Sequence, residues 1–225
     1  MARKLNVFLL FIALVLLSCG AGCQDTGRFA VSGKSSTLGI GPELTTKLAT
    51  DINVRVGFNS FDLDFDDKEI VDVEYDLGID LSSFSALVDW HIFDDSFKIS
   101  GGFISMDNGI DLDARPNENV EIGNTIYTPA EIGALNGNVD IDGLSPYLGI
   151  GWGNPFGGDR RWGFTVDLGV AFTGSPDASL TSFGGSKSSD QDLLNELEKE
   201  RKDIEDDLDS FKFYPVISLG LFYRF

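Results

Sequence analysis

The chain has 225 residues, of which 36 are Asp or Glu and 17 are Lys or Arg, so its formal net charge is −19. This acidity excludes nucleic-acid binding by neutralisation of phosphates, which requires an excess of basic side chains. The 26 glycines, the 18 phenylalanines and the single histidine suit many strands joined by turns.

The N-terminus has the pattern of a secretory signal. Arg3 and Lys4 form a short basic region, residues 7–17 are unbroken apolar, and small residues follow. We therefore expect residues 1–23 to be a signal peptide and residues 24–225 to be a single domain. Removal of the signal would take two basic and no acidic residues, leaving a net charge of about −21.

Both cysteines, Cys19 and Cys23, lie in the cleavage region, so the mature domain is expected to contain no disulfide. Two cleavage routes remain open. A signal peptidase could cut between Gly20 and Cys23, or the Leu-Leu-Ser-Cys run at 16–19, which resembles a lipoprotein box, could place a lipid on Cys19. Leucine fits the second position of that box poorly.

Period-two alternation dominates the rest of the sequence. After the signal, no apolar run approaches the roughly 20 residues that a spanning helix needs, so any membrane crossing must use strands. The last strand carries one fully apolar face, Ile217, Leu219, Leu221, Tyr223 and Phe225, which suits contact with lipid in a closed barrel. The alternation predicts eight strands, at 29–32, 37–48, 52–66, 71–92, 97–106, a segment ending at 152, 162–172 and 213–225. The predicted fold is all-β: an eight-stranded antiparallel transmembrane barrel, with one amphipathic helix in the last extracellular loop.

An even number of strands places both termini on the periplasmic side. The short connections 49–50, 93–96 and 154–160 are then periplasmic, whereas 33–36, 66–69, 108–138 and 175–211 are extracellular loops. Five outward aromatic residues flank the periplasmic turns and predict an interfacial girdle: Trp90, Trp152, Trp162, Tyr223 and Phe225. The alternative is a soluble β-sandwich whose core collects these rings.

The parity of the apolar residues changes within two strands, which predicts β-bulges near 59–60 and 82–83. The ends of these strands carry two facing rows of acidic residues that are weak candidates for a calcium site: Asp62, Asp64, Asp66, Asp72, Glu74 and Asp76. No EF-hand spacing is present, and a solvated acidic hairpin is the simpler interpretation.

Residues 189–210 have helical periodicity instead. A capping pattern at 188–191 precedes a narrow apolar stripe formed by Leu193, Leu197, Ile204, Leu208 and Phe211. This helix could be a lid over the barrel mouth or a docking site for a partner. The alternative is a solvated helix that leans on the extended hairpin.

The inward positions are mostly small and polar, with sparse charges at Glu43, Arg55, Asp89, His91, Asp167 and Arg224. A turn near 48–50 would place Glu43 opposite Arg55 and Lys47 opposite Asp51, and we expect Glu43 and Arg55 to form an ion pair in the lumen. The interior of an eight-stranded barrel is just wide enough to be filled by side chains, which favours a plugged lumen over a pore.

An enzyme would need a nucleophile, a base and an acid. The only histidine is His91, and Ser100 or Ser83 with Asp89 could complete such a set. No motif supports this arrangement, so the sequence predicts neither an enzyme nor a cofactor or metal requirement.

Three segments, 85–90, 145–154 and 213–225, resemble small eight-stranded outer-membrane barrel proteins of Gram-negative bacteria, within an uncharacterised group that has a helix before the last strand. The resemblance implies an outer-membrane location, contact with outer-membrane lipid and lipopolysaccharide, and insertion by the barrel-assembly machinery through the C-terminal strand. It implies no substrate, and we expect a monomer. Two functions remain: a structural or surface-interaction barrel, or a narrow channel or carrier for small hydrophobic molecules. A lipid A-modifying enzyme is a third, weaker alternative.

Overall fold

The computed structural model describes residues 27–70, 73–92, 96–208 and 212–225. The predicted signal peptide therefore lies outside the described residues. The elements, in chain order, are β1 (Phe29–Ser36), β2 (Gly39–Lys47), β3 (Ile52–Ile70), β4 (Val73–Ile92), β5 (Phe97–Pro116), β6 (Val120–Ile122), β7 (Thr125–Tyr127), α1 (Pro129–Ile132), β8 (Gly133–Trp152), β9 (Trp162–Phe172), β10 (Asp177–Gly184), α2 (Gln191–Leu208) and β11 (Phe213–Arg224).

Eight of the strands close into an antiparallel barrel. The pairing order runs β8-β5-β4-β3-β2-β1-β11-β9, and β9 pairs with β8 to complete the ring. β10 adds to the far part of β8, and β6 and β7 form a separate two-stranded hairpin. The predicted eight-stranded barrel is confirmed. Among the described residues, no helix is both long and apolar enough to cross a bilayer.

The barrel near the short turns has an apolar exterior and a polar interior. On β9, Phe164 and Leu168 are exposed whereas Thr165 and Asp167 are buried. The exposed apolar side chains continue around the barrel on the other strands: Phe84, Val88, Phe103, Leu148, Ile150, Ile217, Leu219 and Leu221. A closed ring of strands leaves no open sheet edge, so this surface suits lipid. We call this part of the barrel the band.

Three predicted loops are in fact strand. β1 continues through 33–36, and β3 continues through 66–69, both of which were expected to be extracellular connections. β5 and β8 extend far into 108–138, which was expected to be a long loop. The Asn, Gly and Asp content of these segments favoured loops. Their backbones pair nevertheless, from Met106 opposite Gly143 to Ala114 opposite Leu135. Only 117–132 remain as a connection, and this connection carries β6, β7 and α1.

The predicted bulges near 59–60 and 82–83 are wrong. β3 and β4 pair without interruption from Ile52 opposite Trp90 to Phe65 opposite Leu77, and the register shifts only between Phe65 and Lys68. The apolar residues change parity because the strands leave the membrane. Within the membrane the outward positions contact lipid and are apolar, whereas above it the inward positions are apolar. The backbone alternation itself continues without a break.

The parts of β3, β4, β5 and β8 from the row Ser60, Ser82, Asp107 and Asp142 upwards, together with β10, stand above the barrel as one sheet. We call this sheet the wall. The predicted helix is present as α2, which buries Leu193 and Leu197 against Ile122, Tyr127 and Ile132. β10 lies within the segment predicted as a loop and was missed.

Candidate functional site

Six charged side chains cross the lumen of the band. They are three cations, Lys34, Arg55 and Lys98, and three carboxylates, Glu43, Asp89 and Asp167. Their side chains are at most 3% exposed, apart from Lys34 at 11%. We call this group the lumen cluster. Its formal charges cancel, as expected where water is largely excluded.

Arg55 lies at the centre of the lumen cluster and contacts all three carboxylates. Its Nη1 atom lies 3.3 Å from Glu43 Oε2 and 3.2 Å from Asp167 Oδ2, and its Nε atom lies 2.7 Å from Asp89 Oδ2. Its Nη2 atom donates to Ser100 Oγ at 3.2 Å. The planar guanidinium, with five donors, suits this many-sided role better than an ammonium would.

Lys98 and Lys34 are the other two cations of the lumen cluster, and each contacts two carboxylates. Lys98 Nζ lies 3.3 Å from Asp89 Oδ2 and 2.8 Å from Asp167 Oδ1. Lys34 Nζ lies 3.1 Å from both Glu43 Oε2 and Asp167 Oδ2. Because each carboxylate contacts two or three cations, the residues join strands from opposite sides of the barrel into one plug.

The structure brings Glu43 and Arg55 together, but not in the predicted register. Arg55 lies opposite Thr45, Glu43 lies opposite Gly57, and Lys47 lies opposite Asn53 rather than Asp51. The connection from β2 to β3 spans four residues, 48–51, which moves the pairing by two positions and preserves parity. Glu43 therefore reaches Arg55 diagonally, and the missing side chain of Gly57 leaves room between them.

His91, Ser100 and Asp89 are close in space, but not in the order that a nucleophile requires. Ser100 Oγ donates directly to Asp89 Oδ1 at 2.7 Å, and His91 Nδ1 lies 3.5 Å from Asn53 Nδ2. In a catalytic triad the histidine lies between serine and acid. Ser83 instead accepts from Asn59 Nδ2 at 3.2 Å.

Above the lumen cluster the interior becomes apolar. Its buried residues are Leu38, Leu87, Ile104, Met106, Tyr147, Ala171 and Val216, with Tyr214 packed beside them. A small cavity of about 20 Å³, enough for about one water molecule, lies between this layer and the lumen cluster and is lined by residues of both, including Arg55, Glu43, Leu87 and Ile104. Side chains therefore fill most of the lumen at this level.

The inner face of the wall continues this apolar lining. Because the strands keep their alternation, the positions that face the lumen in the band face the space over the barrel mouth in the wall. The first row across the sheet is Phe61, Leu81, Asn108 and Ile141; the second is Leu63, Ile79, Ile110, Val139 and Ala178; the third is Leu77, Leu112, Gly137 and Leu180. Part of this face is uncovered, since Phe61 is 37%, Leu112 39% and Ile110 42% exposed.

The outer face of the wall is acidic. Its carboxylates, on the alternate positions of the five strands, are Asp62, Asp64, Asp76, Asp80, Asp107, Asp111, Asp113, Asp140, Asp142 and Asp177. Asp111 and Asp113 accept hydrogen bonds from Asn138 at 2.8 Å and Asn136 at 2.7 Å. The opposed faces make the wall amphipathic.

Three of the calcium candidates, Asp62, Asp64 and Asp76, lie on this acidic face. Asp62 lies opposite Asp80, and Asp76 lies opposite Asp113. Asp72 and the side chains of Asp66 and Glu74 lie outside what the structure describes. Within the described residues, no three His, Cys, Asp or Glu side chains are close enough together to hold a metal ion.

α2 protects the free edge of the wall. The backbone N–H of Ala178 on β10 donates to Glu205 Oε1 at 3.2 Å, and the N–H groups of Gly123 and Asn124 donate to Glu200 and Glu196. An uncovered edge strand would offer its backbone groups to other chains. α2 thus stabilises the wall. The helix carries eight acidic and three basic residues along its length.

The five predicted girdle residues are exposed near the short turns: Trp90 56%, Trp152 45%, Trp162 62%, Tyr223 46% and Phe225 52%. Trp162 lies directly opposite Tyr223, and Trp152 contacts Phe97 edge to face with ring centroids 5.3 Å apart. They lie at one end of the barrel, where the lipid–water interface would be.

Comparison with solved structures finds outer-membrane barrels. The crystal structure of CarO2 from Acinetobacter baumannii matches with a TM-score of 0.62 and 22% identity, over 90% of this chain and 100% of CarO2. CarO from the same organism matches with a TM-score of 0.62 and 21% identity, over 91% and 100% of the two chains. Ail, the attachment invasion locus protein of Yersinia pestis, matches with a TM-score of 0.38 and 13% identity, over 88% and 93%. No family model and no curated protein matches the chain.

The likenesses to CarO and CarO2 agree with the geometry of the barrel. The chain has the closed fold of Gram-negative outer-membrane barrels, and its lipid-suited exterior supports an outer-membrane location. Four residues of the lumen cluster, Glu43, Arg55, Asp89 and Asp167, were expected from the sequence as inward charges, whereas Lys98 and Lys34 were not. Lys34 was placed in a turn; the inward parity of β1, with Ala30, Ser32 and Lys34 in alternation, could have identified it.

Proposed function

We propose that this protein is a non-conducting outer-membrane barrel that presents the wall as a binding surface outside the cell. The barrel anchors the wall and holds its orientation, while the lumen cluster seals the membrane passage. The observation that carries the proposal is the continuity of the strands: β3, β4, β5 and β8 cross the band and then form an amphipathic sheet above it.

The sealed passage is supported by the balance and burial of the lumen cluster. Moving an ion through it would require separating Arg55 from three carboxylates in a site of low hydration. Removing one partner from such a buried group typically costs about 3–5 kcal/mol, so the cluster opposes spontaneous opening.

A role in binding is supported by the extent of the wall. Sealing a barrel does not require strands of 19 and 20 residues, since about 9–11 residues cross a bilayer. The additional residues build a five-stranded sheet with one apolar face, and large exposed apolar faces in natural proteins mark interaction sites.

Single-channel recording on the refolded full-length protein tests the sealed lumen. We expect no steady ohmic openings from the unaltered protein. The variant Arg55→Ala, which leaves Glu43, Asp89 and Asp167 facing two lysines, should open cation-selective events. Phe183→Ala, an exposed position on β10 far from the lumen, is the matched control. Steady conductance of the unaltered protein would refute the proposal.

The alternative, a carrier for small hydrophobic molecules, is disfavoured by the size of the cavity above the lumen cluster, about 20 Å³, and by the charged residues in its lining. A neutral fluorescent naphthalene derivative should therefore not bind inside the refolded barrel. Saturable binding that Ile104→Trp abolishes would favour the carrier instead.

A further inference from the structure

We propose that the inner face of the wall binds a cationic amphipathic peptide, lying with its apolar side on the rows led by Phe61, Leu63 and Leu77. This inference rests on the proposed function and adds the chemistry of the partner. It is carried by three observations: an uncovered apolar face, its dimensions, and the acidic excess of α2, which borders the face.

The apolar face is incomplete as a protein core. α2 covers its far corner, where Leu193 and Leu197 are buried beside Leu135 and Leu180. Towards the barrel mouth, Ile110 and Leu112 are 42% and 39% exposed, although their positions are on the face that is buried elsewhere in the sheet. Covering apolar surface that faces water is favourable by about 25 cal/mol per Å², so a partner with its own apolar side would gain by binding there.

The dimensions fit one peptide segment. Five strands at about 4.8 Å spacing give a face about 19 Å wide, and three rows at two-residue steps give a height of about 14 Å. A helix about 10 Å in diameter, rising about 1.5 Å per residue, would cross this width in about 13 residues. A small hydrophobic molecule would leave most of the three rows uncovered.

Charge selects a basic partner. The strands that offer the apolar face carry carboxylates on every row of the opposite face, among them Asp62, Asp111 and Asp140, and no Lys or Arg occupies the alternate positions in the three rows. α2, which borders the face along β10, has five more acidic than basic residues. The Debye length is about 8 Å at physiological salt, so the carboxylates of α2 beside the face act on a bound peptide more strongly than those on the opposite side of the sheet. Such a field accelerates encounter with cations and repels anions.

Full-length protein in nanodiscs of zwitterionic lipid provides the test, with empty discs subtracted. The probe is a fluorescent helical peptide of about 18 residues containing only Leu and Lys, with Leu on one face. Two control peptides are a scrambled Leu–Lys sequence without an apolar face, and an amphipathic Leu–Glu sequence. We expect binding of the first peptide alone, weakening as salt rises from about 50 mM to about 500 mM.

Two matched variants locate the site. Ile110→Asn changes the exposed inner face, and Phe183→Asn changes an exposed apolar residue, 77% accessible, on β10 outside that face. Ile110→Asn should weaken binding about tenfold, because an apolar side chain loses its contact, whereas Phe183→Asn should change it by less than about twofold. Resistance of the folded barrel to SDS without heating confirms that each variant is folded.

Several results would overturn the inference. Equal binding of the Leu–Glu peptide, binding unchanged by Ile110→Asn, or binding unaffected by salt would each refute it. Concentration-dependent association of the protein with itself, abolished by Ile110→Asn, would assign the face to a second copy instead. These results are independent of the conductance experiment, so failure of the peptide inference and failure of the sealed-barrel proposal can be distinguished.

Discussion

The band and the wall are built from the same strands with opposite polarity. On β3 the outward positions of the band are Val54 and Val56, and the outward positions of the wall are Asp62 and Asp64. The inward positions change in the reverse sense, from Asn53 and Arg55 to apolar residues. The backbone alternation is continuous, so the difference shows that the surroundings of each segment, and not its secondary structure, decide which face is apolar.

The two regions are therefore stabilised differently. The band gains little from burying apolar groups against lipid, and its interior is held by the buried charges around Arg55. The wall has water on its outer side and gains stability by packing apolar residues such as Leu135, Leu193 and Leu197 on its inner side. Substitutions that remove a buried charge from the band or an apolar contact from the wall test this difference directly.

Arg55→Ala should have the largest effect. The change leaves Glu43, Asp89 and Asp167 in a buried site with only two lysines, and the expected loss in the free energy of unfolding is about 3–5 kcal/mol. Urea unfolding of the refolded barrel, followed by tryptophan fluorescence, measures this loss. A loss below about 1 kcal/mol, as for an exposed ion pair, would mean that the cluster is hydrated.

The double variant Glu43→Ala with Arg55→Ala is the control for that result. It removes one charge of each sign and restores the balance between Lys34, Lys98 and the two aspartates. We expect the double loss to be smaller than the sum of the two single losses by about 1–3 kcal/mol. Additive losses would show that Glu43 and Arg55 do not interact in the membrane.

Val56→Lys and Asp64→Lys compare the two regions on one strand at the same parity. Val56 faces lipid, where a lysine near the middle of the bilayer costs about 2–4 kcal/mol. Asp64 is exposed on the outer face of the wall, where a surface substitution is expected to change stability by about 0.5 kcal/mol or less. Urea unfolding in lipid vesicles measures both changes. Equal costs would contradict the boundary between band and wall.

The barrel could be predicted from the sequence because the strands of the band follow a single pattern, in which apolar outward residues alternate with small or polar inward ones. Strict alternation gave β9 its correct bounds, 162–172, and the apolar face of β11 indicated lipid contact. The helix was predicted as 189–210 and is 191–208.

The wall could not be predicted by the same rule, because its strands reverse the polarity of their faces. Ile110, Leu112 and Ala114 alternate with Asp111 and Asp113, which is a clear strand signal, but the surrounding Asn and Gly residues suggested a loop. The register of the lumen cluster depended on the length of one turn, which composition does not determine.

Leu197→Ala tests whether the wall has a core of its own. Leu197 is 3% exposed and packs against residues of β6, β7 and α1, so truncation should cost about 2–3 kcal/mol in the local stability of α2. Hydrogen exchange by mass spectrometry should show faster exchange in α2 and β10, with β9 and β11 unchanged. Leu194→Ala, at a position 43% exposed on the same helix, is the control. Equal loss of protection in β9 would show that wall and band unfold as one unit.

The smallest effect is expected at the exposed ion pair between Glu131 and Lys187, whose Oε1 and Nζ atoms lie 2.7 Å apart. The hydrogen bond from Lys187, and those from the backbone and hydroxyl of Thr128, lower the pKa of Glu131 to about 2. The same contact raises the pKa of Lys187. Because the carboxyl pKa is depressed on folding, the pair should contribute its stability above the ordinary value of about 4.5 and lose it as the pH falls towards 2.

An NMR titration of the Glu131 carboxyl measures this pKa directly. Lys187→Met should raise the midpoint of Glu131 towards its ordinary value, whereas Lys199→Met, which removes a partner of Glu196, should leave it unchanged. The corresponding change in unfolding free energy should be far smaller than for Arg55→Ala, because the Lys187 side chain is 44% exposed, against 3% for Arg55. A midpoint near 4.5 in the unaltered protein would mean that the pair does not form.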